Sequence, residues 1–266
     1  MLDVEFSQVS DAGLVRDHNE DYLGCVTPRT PDEARSHGWL FALADGVGGQ
    51  DRGEVASNLA VEKLLEGFRS AAAGEPYTAL LPRLIQAANT QVYEAGLASG
   101  PAGRSMATTV VACALRYDRA IVSHVGDSRC YLVRKQYAVP LTRDHTFSSE
   151  QYRLGLLSAG EAAKSGRSHV LSRALGNEMF INVETSEHQI FAGDILMLCS
   201  DGLHQSITEE DIAAIAASDA DLRAAAGKLV ELAKQRDGSD NISVQLVRVR
   251  GVERVGMYRG RHYKIQ

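Results

Sequence analysis

At 266 residues and 44% hydrophobic composition, the chain has material for one domain with a full core, burying about 75% of its unfolded surface. Its 28 Lys and Arg against 34 Asp and Glu leave a formal charge of −6, which excludes the basic surface of a general nucleic-acid or anionic-membrane binder. No stretch approaches the roughly 18 apolar residues of a membrane-spanning helix, and Met1-Leu2-Asp3-Val4-Glu5-Phe6 lacks the basic and apolar blocks of a signal peptide; a cytoplasmic location is expected.

In chain order, strands are predicted over Val4–Val9 and Trp39–Ala44. Helical spacing follows in Gly53–Ala72 (Val55, Leu59, Leu64, Leu65, Phe68) and in Tyr77–Ala98 (Leu80, Leu81, Leu84, Ile85, Ala88, Val92), with Gly74 and Pro76 marking the join of a helix hairpin. Strands return at Thr108–Leu115, Ala120–Val125 and Cys130–Arg134. From His145 to Gly176 the chain is polar, with a short helical piece around Ser148–Leu157, as in a functional loop or lid. Ile190–Phe191 with its approach, Ile195–Cys199 and Ile242–Val249 are further strands, the last preceded by helices at Glu209–Ala217 and Asp221–Gln235. The final segment, Gly251 to Gln266, sets Arg254, Arg259, Arg261 and Lys264 against Glu253 and is expected to be a basic, frayed tail outside a single domain spanning 1–250. Strands clustered between helix pairs predict an α+β layered fold with an antiparallel sandwich; a Rossmann or barrel fold needs regular alternation.

The four cysteines, Cys25, Cys113, Cys130 and Cys199, form no C-x-x-C pair, so zinc and dithiol chemistry lack support and they are expected to be small buried hydrophobes. Cys113 and Arg119 match the C-x5-R spacing of cysteine-dependent phosphatases, but no glycine lies between them to form a phosphate cradle. The loop Asp45-Gly46-Val47-Gly48-Gly49 lacks the Gly-Lys-Ser/Thr of a nucleotide-binding loop; its glycines suit a bend that lets a main-chain carbonyl join Asp45 at a metal.

The informative pattern is the placement of acids. Phe41–Ala44 runs into Asp45-Gly46, Ile195–Cys199 runs through Ser200 into Asp201-Gly202, Asp240-Asn241 precedes Ile242, and Asn19-Glu20-Asp21 precedes Tyr22-Leu23. Each alone is an ordinary turn. If the ends converge, the carboxylates cannot all stay ionised without compensation, and Arg16 is the single basic residue accompanying them in sequence. An all-oxygen set points to Mg2+ or Mn2+.

In this order the clusters resemble the metal-dependent, type 2C serine/threonine protein phosphatases in their compact bacterial form. The matching stretches are Arg16-Asp-His-Asn-Glu-Asp21, Ala44-Asp-Gly-Val-Gly-Gly49 with Gly53-Glu54, Met106-Ala-Thr-Thr109, Gly126-Asp-Ser-Arg129, Leu141-Thr-Arg-Asp-His145, Leu171-Ser-Arg-Ala-Leu-Gly176, Ser200-Asp-Gly202 and Asp240-Asn241. The resemblance implies a four-layer α-β-β-α sandwich. It implies that Asp45 bridges two metals, that Glu20 and the Gly46 carbonyl serve one, and that Asp201 and Asp240 serve the other. Asp21 would hold metal-bound water, Arg16 would grip the substrate phosphate, and Asp127 would hold a third metal shared with Asp201. The segment His145–Gly176 would be the flap. It further implies hydrolysis of phosphoserine and phosphothreonine in proteins by a hydroxide held between two metals and attacking phosphorus in line, by a monomer opposing a cognate serine/threonine kinase. Val47 and Gln50 stand where some relatives carry a histidine as general acid, and Ala107 where relatives often have glycine. The competing readings are a catalytically silent binding module and a hydrolase of small phosphorylated metabolites.

Overall fold

The computed structural model describes residues 1–47, 52–100, 106–165, 170–218, 221–258 and 261–264, with side chains from 255 onward and at 163, 164 and 218 outside the description. The chain opens with β1 (Asp3–Asp11), β2 (Asp21–Val26), α1 (Pro31–Ser36) and β3 (Trp39–Val47). The helix pair α2 (Gly53–Arg69) and α3 (Tyr77–Ala98) follows. Then come β4 (Ala107–Thr108), β5 (Val110–Arg116), β6 (Arg119–Val125), β7 (Arg129–Arg134) and β8 (Tyr137–Pro140). The flap holds α4 (Phe147–Arg153) and α5 (Ala159–Lys164), and β9 (Glu184–Gln189) and β10 (Ile195–Cys199) succeed it. The last elements are α6 (Asp201–His204), α7 (Glu209–Ser218), α8 (Leu222–Arg236), β11 (Ile242–Gly251), β12 (Val255–Tyr258) and β13 (Arg261–Lys264).

Two antiparallel sheets form the centre: β1-β11-β10-β7-β8, and β2-β3-β5-β6-β9 with the short β4 also on β3. The outer face of the second sheet packs on α2 and α3 through Leu64, Phe68, Leu81 and Ile85; the outer face of the first packs on α7 and α8 through Ile212, Ala216, Ala226 and Leu229. Between the sheets, Phe41, Leu43, Val111, Cys113, Leu196, Leu198 and Val247 make a third apolar layer. This is the four-layer α-β-β-α arrangement. It explains why β3 and β10 read as unbroken apolar runs: both faces of each are covered, so Leu40–Ala44 and Leu196–Cys199 are fully buried.

Several expectations are corrected. Val55, counted on the apolar face of α2, is 46% exposed because it lies in the first turn, opposite the face that carries Ala56, Ala60 and Leu64. The strand expected at Ile190–Phe191 is β9, which ends at Gln189 and pairs with β6 at the sheet edge. The tail is not frayed: β12 and β13 pair as an antiparallel hairpin, Val255 opposite Lys264. The flap is more ordered than a loop, since the Thr146 hydroxyl caps α4 and a Ser158–Glu161 capping box starts α5. Its ends are stitched together by Phe147 N–H donating to Val170 O at 2.9 Å and Ser172 N–H to His145 O at 2.8 Å.

Candidate metal centre

The fold brings the acids together at one edge of the sandwich. Asp21 opens β2 directly opposite Asp45 in the β2–β3 ladder. The Glu20 segment is held by three contacts: its carbonyl accepts from Gly46 N–H at 3.1 Å and from the Ser57 hydroxyl at 2.6 Å, and its N–H donates to Asn241 Oδ1 at 2.8 Å. The Asn241 amide in turn donates to Ala12 O and His18 O, at 3.0 and 2.9 Å. Asn241 thus staples the 12–20 loop to the Asp240 turn, a role that the sequence does not disclose. Gly53 and Gly46 are required by close approach: a Cβ on Gly53 would stand 2.7 Å from the Glu20 carboxylate, and one on Gly46 would stand 2.3 Å from the Gly53 backbone. Asp201, expected at a strand end, is the first residue of α6, with Ser200 between it and β10. Asp240 accepts from Asn241 N–H at 2.9 Å, immediately before β11. Gly48, Gly49 and Gln50 fall outside the described residues.

Electrostatics express the convergence. Asp45 lies well above the ordinary carboxylate range, first because its carboxyl is desolvated and then because Asp21, Asp201, Asp127 and Asp240 all act on it. Burial pushes Asp21 up to about 7, with Asp201 and Asp240 adding to the rise. Both Asp21 carboxyl oxygens are buried without a hydrogen-bond partner. The nearby Ser200 and Ser243 hydroxyls relieve its charge in part, but are engaged elsewhere, Ser243 with the Ser10 hydroxyl at 2.7 Å and Ser200 donating to Asn241 O at 3.5 Å. Asp127 rises to about 8, again through burial first and then Asp201 and Asp144. Desolvation also raises Glu20, with Arg16 opposing it. Arg16, expected at a phosphate, instead donates to Asp240 Oδ2 at 2.8 Å and is half exposed. Glu20 and Asp45 act on the same guanidinium.

Beneath the flap, a second group of donors differs in kind. His124, His145 and Glu184 offer atoms within 4.8 Å of one another. Their geometry opposes metal binding. The two rings stack at 4.6 Å with an interplanar angle of 18°, and in-plane lone pairs on near-parallel rings do not meet at a common ion. Gly126 N–H donates to His145 Nδ1 at 3.2 Å, which leaves Nε2 of that ring as the donor to Glu184 at 3.3 Å. His124 Nε2 donates to Arg143 O at 2.8 Å. Burial, then His124 and Arg173, lower His145 to about 4. Nearby, Asp144 is held below its ordinary range, because bidentate hydrogen bonds from Arg129 at 2.7 Å outweigh the cost of burial.

The cysteine motif dissolves in three dimensions. Cys113 is 1% exposed between the sheets, opposite Phe41 and Val122, while Arg119 lies near Asp118 and Glu187 on the surface, 3.7 Å from each. Cys130 and Cys199 are likewise buried thiols, and Cys25 is half-buried.

Compared with known proteins, residues 17–239 match the family model described as Protein phosphatase 2C. The serine/threonine phosphatase stp of Listeria monocytogenes is 32% identical over 241 residues, covering 90% of this chain and 93% of that protein. The solved serine/threonine phosphatase of S. agalactiae superposes with a TM-score of 0.84 at 30% identity, over 92% of this chain and 99% of the other. The catalytic domain of the phosphatase PstP, solved in complex with two manganese ions, gives a TM-score of 0.79 at 30% identity, over 94% and 99%.

Proposed function

Since the chain belongs to the protein phosphatase 2C family, we propose that it hydrolyses phosphoserine and phosphothreonine in proteins at the carboxylate cluster around Asp45. The observation that carries this reading is the Asp21 carboxyl, buried with both oxygens unpartnered beside a second strongly raised carboxyl at Asp45. Such a group is costly unless a cation completes it. The set is all oxygen, which fits two Mn2+ or Mg2+ ions, and the PstP domain was solved with two manganese ions.

When bound, these ions supply a water acidified enough to attack phosphorus and positive charge to offset that on the phosphoryl oxygens. Asp45, on which Asp21, Asp201, Asp127 and Asp240 all act, would serve both ions. Glu20, braced by Ser57 and Asn241, and the Gly46 carbonyl are assigned to one ion, and Asp201 and Asp240 to the other. Asp21, paired across the ladder from Asp45, is assigned to accept a hydrogen bond from the attacking water and so orient it. Arg16, half exposed and paired with Asp240 at 2.8 Å, is assigned to the substrate phosphate, whose oxygens its fork suits. Asp127 and Asp201 are assigned a third, weaker cation.

The finer reading is that the protein acts in the cytoplasm as a monomer and opposes a bacterial-type serine/threonine kinase. Bacterial relatives named as serine/threonine phosphatases support it, and no helix among the described residues is long and apolar enough to cross a membrane. The test is turnover of phosphoserine and phosphothreonine peptides beside a panel of phosphorylated metabolites, with and without chelator. Peptide hydrolysis abolished by chelation and restored by Mn2+ is expected. Full activity in excess chelator, or a clear preference for metabolites, overturns the reading.

A further inference from the structure

His204 belongs to none of the proposed ligand sets, yet it stands between two members of one. It closes the four-residue α6 that begins at Asp201, and it is 8% exposed. Its Nε2 lies 3.0 Å from the main-chain oxygen of Asp127. A carbonyl only accepts, so Nε2 carries the proton and Nδ1 is left as a bare lone pair. That Nδ1 is buried with no hydrogen-bond partner, a state that costs about 1–3 kcal/mol. An apolar side chain would avoid the cost, as Leu203 beside it does. What the imidazole contributes in exchange is the hydrogen bond to Asp127.

That bond completes the suspension of a sharp turn. Gly126 has φ +106°, and a Cβ there would stand 2.6 Å from the Thr109 side chain. On one side of the turn Gly126 N–H donates to His145 Nδ1; on the other the Ser128 and Thr109 hydroxyls meet at 2.7 Å. His204 grips the middle, at residue 127, and does so from the helix that carries Asp201. The same ring lines a cavity of about 430 Å3 beneath the flap, together with Asp127, Arg129, Gln205, Ser148 and Tyr152.

We propose that His204 is a positioning residue, holding Asp127 in place relative to Asp201 so that the two carboxylates share the peripheral cation. The affinity of that cation, and not of the central pair, then depends on His204. This rests on the assignment of Asp127 and Asp201 given above. A hydrogen-bonding partner behind a metal ligand is commonly worth about 10–100-fold in metal affinity.

The experiment is calorimetric Mn2+ titration of the wild type, His204→Leu and His204→Gln, beside the Mn2+ dependence of peptide hydrolysis. Leucine keeps much of the volume and removes the donor; the glutamine amide nitrogen lies as many bonds from Cβ as Nε2 does and restores it. The expected result is two tight sites unchanged in all three proteins. The weak site is lowered about 10–100-fold in the leucine variant and kept within a few-fold in the glutamine variant, with half-maximal activation shifting in step. If the leucine variant does not fold, His204→Asn, whose amide is one bond too short, replaces it in the contrast with Gln. Unchanged weak-site affinity without the donor, or equal loss at all sites, overturns the proposal. Asp127→Asn is the control: no weak site in the wild type, and no difference on removing Asp127, overturns the Asp127 assignment itself.

Discussion

The carboxylates around Asp45 and the imidazoles of His124 and His145 are both buried titratable clusters at the same end of the sandwich, but their surroundings differ in charge. The acids face one another, Arg16 pairs with Asp240, and Asp21 has no hydrogen-bond partner at either oxygen. The imidazoles are neutral and largely partnered: a main-chain donor, a main-chain acceptor and Glu184 use three of their four ring nitrogens, and Arg143 at 2.9 Å shares the charge of Glu184. An incomplete cluster implies a ligand; a complete one is scaffold, here tying the flap at His145 to β6 and β9. Counting donor atoms within reach does not separate the two cases, because the imidazole cluster has the more metal-like composition. Asking which lone pairs are already spent does separate them.

The sharpest way to break this comparison is to neutralise one acid. Asp45→Asn or Asp201→Asn removes a ligand from a centre that contributes several kcal/mol of charge stabilisation, so peptide turnover at saturating Mn2+ falls by about a thousandfold or more. In chelator the same variants melt at higher temperature than the wild type, because a like charge has been removed. A variant that keeps activity within tenfold of wild type, or that loses thermal stability in chelator, contradicts the incomplete-cluster view. Neutralising the other cluster gives the opposite pattern: His145→Ala lowers stability by about 2–4 kcal/mol through the broken buried network, with or without metal.

The two clusters also give pH dependences of opposite sign. Asp21 and Asp127 are raised to about 7 and about 8 in the metal-free fold, so between the ordinary carboxylate range and those values the native state binds more protons than the unfolded chain. Stability in chelator therefore falls as pH rises from about 4 to 8, by up to about 1.4 kcal/mol per pH unit for each proton. His145 is lowered from 6.5 to about 4; the unfolded chain binds more protons in that window, and this contribution is lost as pH falls from 6.5 to 4. Urea denaturation in chelator from pH 6.5 to 8, above the window of the lowered imidazoles of His145, His204 and His124, is expected to show the falling limb, to lose part of it in Asp127→Asn, and to flatten on adding Mn2+. A metal-free protein that gains stability steadily from pH 6.5 to 8 rules out raised acids.

Much of this site was legible because each acid adjoins an apolar run that had to be buried, so the runs located the ends and the ends located the acids. The strand β2 was not legible as a strand. Gly24 interrupts it, and only the structure shows why: a Cβ there would stand 2.6 Å from Leu65 of α2. Similarly, β9 reads Glu-Thr-Ser-Glu-His-Gln, a polar strand at the edge of its sheet with no buried face to impose a period of two. The four residues of α6 are too few to carry a helical period, which is why Asp201 looked like a strand end. Asn241, His204 and the Arg16–Asp240 pair act across 221, 77 and 224 residues of sequence, and no local pattern encodes contacts of that range.

The smallest expected effect concerns the C-x5-R motif. Its thiol is buried between the sheets in β5, near Cys130, and its arginine lies on the surface against Asp118 and Glu187. A nucleophilic thiol needs access to substrate, and Cys113 is 1% exposed in apolar surroundings. Cys113→Ala should therefore keep turnover within about twofold of wild type, while losing about 1 kcal/mol or somewhat more of stability through the small cavity left by the sulfur. Alanine serves better than serine here, because a hydroxyl placed in that apolar layer adds an unpaired polar group and confuses stability with chemistry. Turnover measured on protein shown to be folded by its melting transition separates the two effects. A folded but inactive Cys113→Ala enzyme would move the reaction from the carboxylate cluster to the core of the sandwich, and would remove the ground for treating the acids around Asp45 as the reactive centre.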